Sequence, residues 1–553
     1  MANTTNPARG MRDFLPADVR KRNYVINIIK EVYEKYGFEP LETPSVENLE
    51  TLTGKYGEEG NQLMFKILKR GEKLQQELAE GKITNENELS DLALRYDLTV
   101  PLARVVANYK NELPKFFKRY QIQPVWRADR PAKGRYREFY QCDVDAIGSS
   151  SMIVEAELIS AVSEILERLG FDDFVIRINH RKFLNELLVT VGVQPDKHSV
   201  ALVALDKLDK IGRERVTAEF IEHGVLPNAG EKLITFLESV IESNLKSDLG
   251  KHATSKMIDL KKQLLSEKSL LPEYESLNRE TRKWLIRSIY QAISKLEKDI
   301  IPEEIDFPND IDVLSSKYRI IEDLIFRIGS LQTFDNLQTL RGLVNFLLDE
   351  GYQKEISSIP NLIHLVRLCE QNHSARRLVI DPSLARGLSY YTGAIFEVVL
   401  TNGDFQGSIA GGGRYDGLIG MFGKEQIPAV GFSIGLERIL YVMEMREMFP
   451  EDLTTNSADV MITIWSEESA SESLKLASEL RATGLRVLVY PEADKLGKQF
   501  KYADSLNIPY VCVLGETELA ENKVALKNLK SGEQELILRQ EITAKIVGLT
   551  KHS

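Results

Sequence analysis

The sequence predicts an α+β chain: antiparallel strands flanked by helices, a largely helical insertion, and a small α/β unit at the C-terminus. Three observations carry that reading. Residues 116–126 and 138–148 have strand character and are joined by a cation-rich loop, which makes a long hairpin. Residues 180–375 are rich in charge and helical periodicity but poor in dense glycine motifs. Beyond residue 457, strand and helix patterns alternate in the order that builds a parallel sheet.

Taken in chain order, "ADVRKRNYVINIIKEVYEKY" (17–36) places Val25, Ile28, Ile29 and Val32 at helical spacing, with Gly37 as a C-cap. "FEPLETPSV" is a short extended segment broken by prolines. "FFKRYQIQPVW" and "EFYQCDVDAIG" are the hairpin strands. "SSMIVEAELISAVSEILERLG" is an amphipathic helix opened by serine and closed by glycine. "LSYYTGAIFEVVL" and "GSIAGGGRYDGLIG" return to strand and tight-turn chemistry, and "AVGFSIGLERILYVMEM" is a strand running into a helix. "EMFPEDLTTNSA" (447–458) reads as a linker. The expected divisions are 1–176 and 376–450 for one discontinuous core, 177–375 for the insertion, and 457–553 for the last unit.

The 553 residues are too many for one ordinary core, so about three domains are expected. A net charge of -11 argues against indiscriminate nucleic-acid binding, although local basic patches can still hold phosphate. No apolar run approaches the roughly 20 residues that cross a bilayer, and the N-terminus lacks a secretory h-region. No membrane association is expected. Cys142, Cys369 and Cys512 are widely spaced, which disfavours a disulfide framework and points to a reducing cytoplasm. The seven histidines show no metal-binding spacing, so no metal-ligating residue is assigned. Neither a P-loop nor a dinucleotide fingerprint occurs.

The chemistry gathers in "RADRPAKGRYREFYQCDVDAIG", where five cations precede Gln141, Asp143 and Asp145. Strand alternation puts Phe139, Gln141, Asp143 and Asp145 on one face, with Arg127 able to lean over it. A ligand carrying both signs fits that surface; so does a solvated face with weak surface ion pairs. In "LARGLSYYTG", Arg386 precedes Tyr390, with Tyr391 expected to point to the opposite side. These tyrosines could be core or the wall of a heteroaromatic pocket. The glycines of "AGGGRYDGL" allow close backbone approach or positive φ. Asp97 in "ALRYDLTVPLAR" is either a turn cap or the partner of an ammonium group. Arg438 in "GLERIL" gains meaning only from company. Lys495, Lys498 and Lys501 recur every three residues and could present one helix face to phosphate, or to water.

Together these segments resemble the histidyl-tRNA synthetases, a family of class II aminoacyl-tRNA synthetases, over nearly the full length. "FEPLETPSVENLE", "RYDLTVPLAR", "VWRADRPAKGRYREFYQCDVDAIG", "RGLSYYTG", "AGGGRYDGL" and "VGFSIGLERIL" carry the likeness, and "KLGKQFKYAD" resembles the family's anticodon-binding domain. The resemblance implies a class II antiparallel catalytic sheet, ATP as a substrate with Mg²⁺, and ligation of L-histidine to its tRNA through histidyl-adenylate. It implies Arg127 and Arg386 as catalytic residues flanking the α-phosphate. Asp97, Leu98, Thr99, Arg127, Gln141, Asp145, Arg386, Tyr390 and Tyr391 would surround histidine. Arg127, Arg135, Phe139, Arg386 and Arg438 would hold ATP, and Arg130, Lys495, Lys498 and Lys501 would contact tRNA. Pro44 in "GFEPLETPSV" occupies the class II dimer segment, so a homodimer is expected. The other reading is a catalytically silent, histidine-sensing regulatory module; a full C-terminal α/β unit and the three arginines speak for catalysis.

Overall fold

The computed structural model describes residues 5–72, 74–75, 86–205, 207–245, 358–372, 374, 377–385, 390–423, 425–450, 453 and 458–550. They fall into two compact units: residues 26–442 with the N-terminal segment up to Arg12, and Met443–Ser553 with Asp13–Val25. Most of the expected insertion (246–357), the linker residues 454–457 and Arg386 lie outside the described residues.

In chain order, the first unit contains β1 (Glu39–Pro40), β2 (Val46–Asn48), β3 (Lys66–Leu68), β4 (Ser90–Leu94), β5 (Phe117–Trp126), β6 (Glu138–Ile147), β7 (Phe174–His180), β8 (Leu378–Ile380), β9 (Ala394–Leu400), β10 (Ser408–Arg414) and β11 (Ala429–Gly435). Eight of them form one sheet in the order β1-β5-β6-β11-β10-β9-β7-β8. Its centre is antiparallel, and only the outer pairs β1/β5 and β7/β8 are parallel. β2, β4 and β3 make a small separate sheet.

The two faces of the large sheet follow from period-2 alternation in β6. Cys142, Val144 and Ala146 are buried on one side, and the Tyr33 hydroxyl, from the helix Pro16–Lys35, donates to the Cys142 carbonyl at 3.2 Å. The helix Ile153–Arg168 buries Leu158, Ile159, Val162 and Ile165 on its apolar stripe. Its N-terminus departs slightly from expectation: the Ncap is Met152, while the Ser151 hydroxyl accepts from the Ile153 N–H. At the other end of the pattern, Gly37 adopts φ +76 after the helix Pro16–Lys35, as a C-cap glycine does.

A cut at 176/177 would divide β7, which pairs with β9 through His180. The helix Ser358–Cys369 also contacts β7 and β8, so the sheet reclaims the chain before residue 375. Between these points the described residues form the helices Arg181–Thr190, His198–Leu205, Leu208–Glu222 and Pro227–Leu245.

In the second unit, β12 (Val460–Ile462), β13 (Val487–Val489) and β14 (Tyr510–Val513) are parallel, as the alternating pattern predicts. The sheet is nonetheless mixed. β15 (Lys523–Asn528) and β16 (Gln534–Leu538) add an antiparallel hairpin whose turn contains Gly532 at φ +78. Val460, Ile462, Leu476, Leu480, Cys512 and Val524 close the core between this sheet and the helix Ala470–Arg481.

Candidate active site

The polar face of the large sheet is organised in rows. Arg119 of β5 stands directly opposite Asp145 of β6, Gln121 opposite Asp143, and Gln123 opposite Gln141. The rows continue into β11 and β10 as Gly431 and Gly413, and as Ser433 and Gly411. Small residues thus face large polar ones, and the surface is hollowed where β10 and β11 cross it. Thr99, Asp143, Asp145, Tyr390, Tyr391, Gly411, Gly412, Tyr415, Gly431 and Ser433 line the resulting pocket.

The glycines serve close approach, not positive φ: none of those in β10 or β11 lies in the left-handed region. A Cβ on Gly431 would fall 2.0 Å from Asp145 Oδ1, one on Gly412 2.0 Å from the Gly431 carbonyl, and one on Gly413 2.9 Å from the Tyr391 ring. Without them the carboxylate and the phenol could not both reach the pocket.

Three carboxylates converge there against one buried guanidinium. Asp145 pairs with Arg119 at 2.9 Å, both buried, and accepts from the Tyr415 hydroxyl. Arg119 also donates to the Gln121 side chain at 3.2 Å and to the Leu98 carbonyl at 3.3 Å. Asp97 Oδ1 accepts from the Tyr56 hydroxyl at 2.9 Å and from the Val100 N–H at 3.0 Å, while Oδ2 accepts from the Tyr390 hydroxyl at 3.4 Å. Asp97 therefore caps the helix Thr99–Tyr109 and reaches the pocket wall at once. The turn-cap reading of this residue holds.

Burial pushes the Asp97 and Asp145 carboxyls upward, and Asp143 to about 7; Arg119 opposes the rise at Asp143 and Asp145. Burial also raises the phenols of Tyr56, Tyr390 and Tyr415 well above their usual range, so they remain hydrogen-bond donors to the carboxylates beside them. Gln141 donates to the Ser433 hydroxyl at 3.1 Å. Its Oε1 and Asp143 Oδ1 are buried acceptors with no partner among the described residues.

At the end of β5, Arg127 is held over the pocket's edge. Its Nε donates to the Tyr96 carbonyl at 3.0 Å, and the guanidinium lies 4.4 Å from the Tyr96 ring centroid and 5.2 Å from that of Phe139. The hairpin loop beyond it is braced by Arg135, which grips Asp129 through two bonds of 2.7 and 3.1 Å. Arg438 donates to the Ser408 carbonyl and packs beside Gly134 of that loop.

The structure thus brings Asp97, Thr99, Asp145, Tyr390 and Tyr391 to one pocket, with Gln141 on the same face and Arg127 and Phe139 at its edge. Leu98 is buried and contributes only its carbonyl. Tyr391 does not point away from Tyr390. Their ring centroids lie 5.1 Å apart and both line the pocket, because the strand begins only at Ala394 and alternation does not reach these residues. Arg130 is exposed on the hairpin loop. In the second unit, Lys495 is the Ncap of the helix Leu496–Ser505 rather than part of a helical face; Lys498 pairs with Asp494 at 2.6 Å, and Lys501 is exposed.

Arg119, Tyr56, Tyr415 and Ser433 were not singled out from sequence as site residues, and Asp143 was placed on the ligand-facing side without a role of its own. Arg119 carried a usable signal: polar residues at alternate positions on the first hairpin strand, which pair with Asp143 and Asp145 once the register is fixed.

An antiparallel sheet with a polar hollow and a cationic hairpin loop, on a chain with a separate mixed-sheet unit, has the build of a class II aminoacyl-tRNA synthetase. Residues 10–267 and 328–439 match the family model described as histidyl-tRNA synthetase, and residues 459–549 match that of the anticodon binding domain. A histidine–tRNA ligase of Porphyromonas gingivalis is 40% identical over 96% of both chains, and one of Bacteroides fragilis is 37% identical over 98% of both. The crystal structure of histidyl-tRNA synthetase from Nostoc sp. PCC 7120 superposes with a TM-score of 0.61 at 27% identity, covering 99% of each chain. The chain belongs to the histidyl-tRNA synthetase family.

Proposed function

We propose that this protein joins L-histidine to its tRNA in two steps at the pocket on the β5–β6–β11–β10 face. A histidine carboxylate oxygen attacks the α-phosphorus of ATP, and the bond to pyrophosphate breaks. The terminal ribose hydroxyl of the tRNA then attacks the acyl carbon, and AMP leaves. The observation that carries the reading is the pair of buried acceptors without a partner among the described residues, Gln141 Oε1 and Asp143 Oδ1, on the same sheet face as Asp145. A substrate ammonium supplies the missing donors, and its charge offsets an excess of carboxylate that Arg119 alone does not neutralise.

Tyr390, Tyr391 and Tyr415 with Asp145 would hold the imidazole. A site that hydrogen-bonds a buried polar ring rejects analogues lacking it by about 10⁴–10⁵-fold. Arg127, joined by Arg386, would meet the charge that builds on the α-phosphate, Phe139 would stack on adenine, and Arg135 and Arg438 would hold the outer phosphates. Mg²⁺ would arrive on the phosphates of ATP, where it neutralises charge; among the described residues no cluster of three or more acidic, histidine or cysteine side chains is placed to hold an ion itself. Arg130 and the lysines 495, 498 and 501 would contact tRNA. The discontinuous sheet would be the catalytic domain, residues 457–553 the anticodon-binding one. A homodimer through the Pro44 segment and a cytoplasmic setting complete the proposal; the three free, buried cysteines suit a reducing compartment.

Histidine-dependent exchange of labelled pyrophosphate into ATP, followed by acylation of tRNA, tests the function directly. Exchange that ignores histidine would refute it.

The position of Asp143 gives a pH prediction. Its carboxyl, pushed to about 7 by burial, is ionised above that value and neutral below it. Affinity for the cationic ammonium is therefore full above pH 7, and KM for histidine rises as pH falls through it, by up to about tenfold per unit. The substrate imidazole titrates nearby, so Asp143→Asn is the control. An inflection that survives unchanged in this variant belongs to the substrate and removes Asp143 from the account.

A further inference from the structure

A chain of hydrogen-bonded side chains runs from Thr43, between β1 and β2, to Asp145 of the pocket. Arg119 stands at one end and Arg95, the residue after β4, at the other; both are fully buried. Arg119 Nη1 donates to Gln121 Oε1 at 3.2 Å. Gln121 Nε2 donates to Thr43 Oγ1 at 2.9 Å and to Gln123 Oε1 at 2.6 Å. Arg95 Nη1 completes the chain, donating to Gln123 Oε1 at 2.8 Å and to the Thr43 carbonyl at 2.6 Å.

The sense of this chain is fixed by its ends. A guanidinium only donates, so both glutamines turn their oxygens toward an arginine, and the Gln121 nitrogen is left for Thr43 and Gln123. Gln121 is buried and stands opposite Asp143 in the register, one row from the Arg119–Asp145 pair. Arg119 feels both carboxylates, since it opposes the effect of burial on each. Yet among the described residues it ion-pairs with Asp145 alone, and Asp143 Oδ1 has no partner. Of its two terminal nitrogens, Nη2 meets Asp145 and Nη1 is taken by the Gln121 oxygen.

We infer that Gln121 is a positioning residue for histidine: it holds Arg119 on Asp145, the carboxylate for the imidazole, and so leaves Asp143 to the substrate ammonium. The inference rests on the proposed function and adds to it a residue outside the pocket lining. Without the amide oxygen, Nη1 would need another acceptor, and Asp143 across the strand offers one. The guanidinium would then compete with the ammonium for that carboxylate. A hydrogen bond to a charged group is among the stronger ones, and burial strengthens it further, so one amide can decide between two carboxylates. Thr43, Gln123 and Arg95 fix Gln121 in turn, which keeps its oxygen facing Arg119 before substrate arrives.

The test uses the full chain with Gln121→Met, which removes the amide at similar volume. In pyrophosphate exchange, KM for histidine is expected to rise about five- to twentyfold, while kcat and KM for ATP stay within about threefold. In an Arg119→Met background the same substitution should add less than about twofold, because Gln121 acts through Arg119. Should Arg119→Met fail to fold, Thr43→Val and Thr43→Ser carry the question. Only valine loses the acceptor for Gln121, so valine raises KM for histidine about two- to fivefold and serine restores it. An unchanged KM for histidine in Gln121→Met would overturn the inference. So would an equal rise in KM for ATP, a full effect without Arg119, or equal values for the two Thr43 variants. Absence of exchange in the unaltered chain would strike the proposed function instead, and the calorimetric Kd for histidine would still read Gln121.

Discussion

Alanine at position 127 is expected to slow histidyl-adenylate formation by about 10²–10³-fold, the usual cost of one preorganised donor. The expectation comes from how Arg127 is held. Its Nε is committed to the Tyr96 carbonyl and the guanidinium lies near two aromatic rings, so the side chain is held in place before substrate arrives. Charge builds on the phosphoryl oxygens mainly in the transition state, so the loss should appear in kcat more than in KM for histidine. Lysine at this position recovers only part of the rate, because an ammonium lacks the planar fork and stacks less well between Tyr96 and Phe139. Single-turnover adenylate formation measures the effect. A variant within tenfold of the parent would remove Arg127 from the chemistry.

Replacing Arg119 with methionine should be the most damaging single change to stability in the site. The side chain is fully buried and its partner Asp145 nearly so. Removing one member of such a pair leaves a charge without compensation and typically costs about 3–5 kcal/mol. Here the cost falls on Asp145 and Asp143 together, since Arg119 opposes the upward push of burial on both carboxyls. Methionine at 119 combined with leucine at 145 should regain most of the lost stability, because an apolar pair of similar volume needs no counter-ion. It should not regain histidine activation. Denaturant unfolding of the full chain, read beside pyrophosphate exchange, separates the two effects. A double variant no more stable than Arg119→Met would show that the ion pair is not what Arg119 contributes.

The hairpin was legible because its signals are local. Strand-forming residues flank a loop dense in arginine and lysine, and the period-2 pattern puts Gln141, Asp143 and Asp145 on one face. The opposite wall was not. Arg119 lies in "FFKRYQIQPVW", where a basic residue in a strand looks like an edge or surface position. Its meaning depends on standing across from Asp145, and that needs the register. Tyr56 comes from a segment without a motif, and only the fold brings its hydroxyl to Asp97. Tyr390 and Tyr391 were found, but their directions were misjudged because strand rules were applied to residues that precede the strand. In the second unit, the three parallel strands follow from strand–helix alternation, whereas the β15–β16 hairpin was hidden in a polar, lysine-rich stretch.

Part of the pocket's lining is peptide backbone, because Gly411, Gly412 and Gly431 present no side chain to it. A cavity bounded in this way is already as deep as that surface permits. Substitution there can only make it shallower, and at Gly431 or Gly412 would first collide with Asp145 or with the Gly431 carbonyl. Acceptance of bulkier amino acids would therefore have to be engineered in the walls, at Thr99, Tyr390, Tyr391 or Tyr415, where there are atoms to remove.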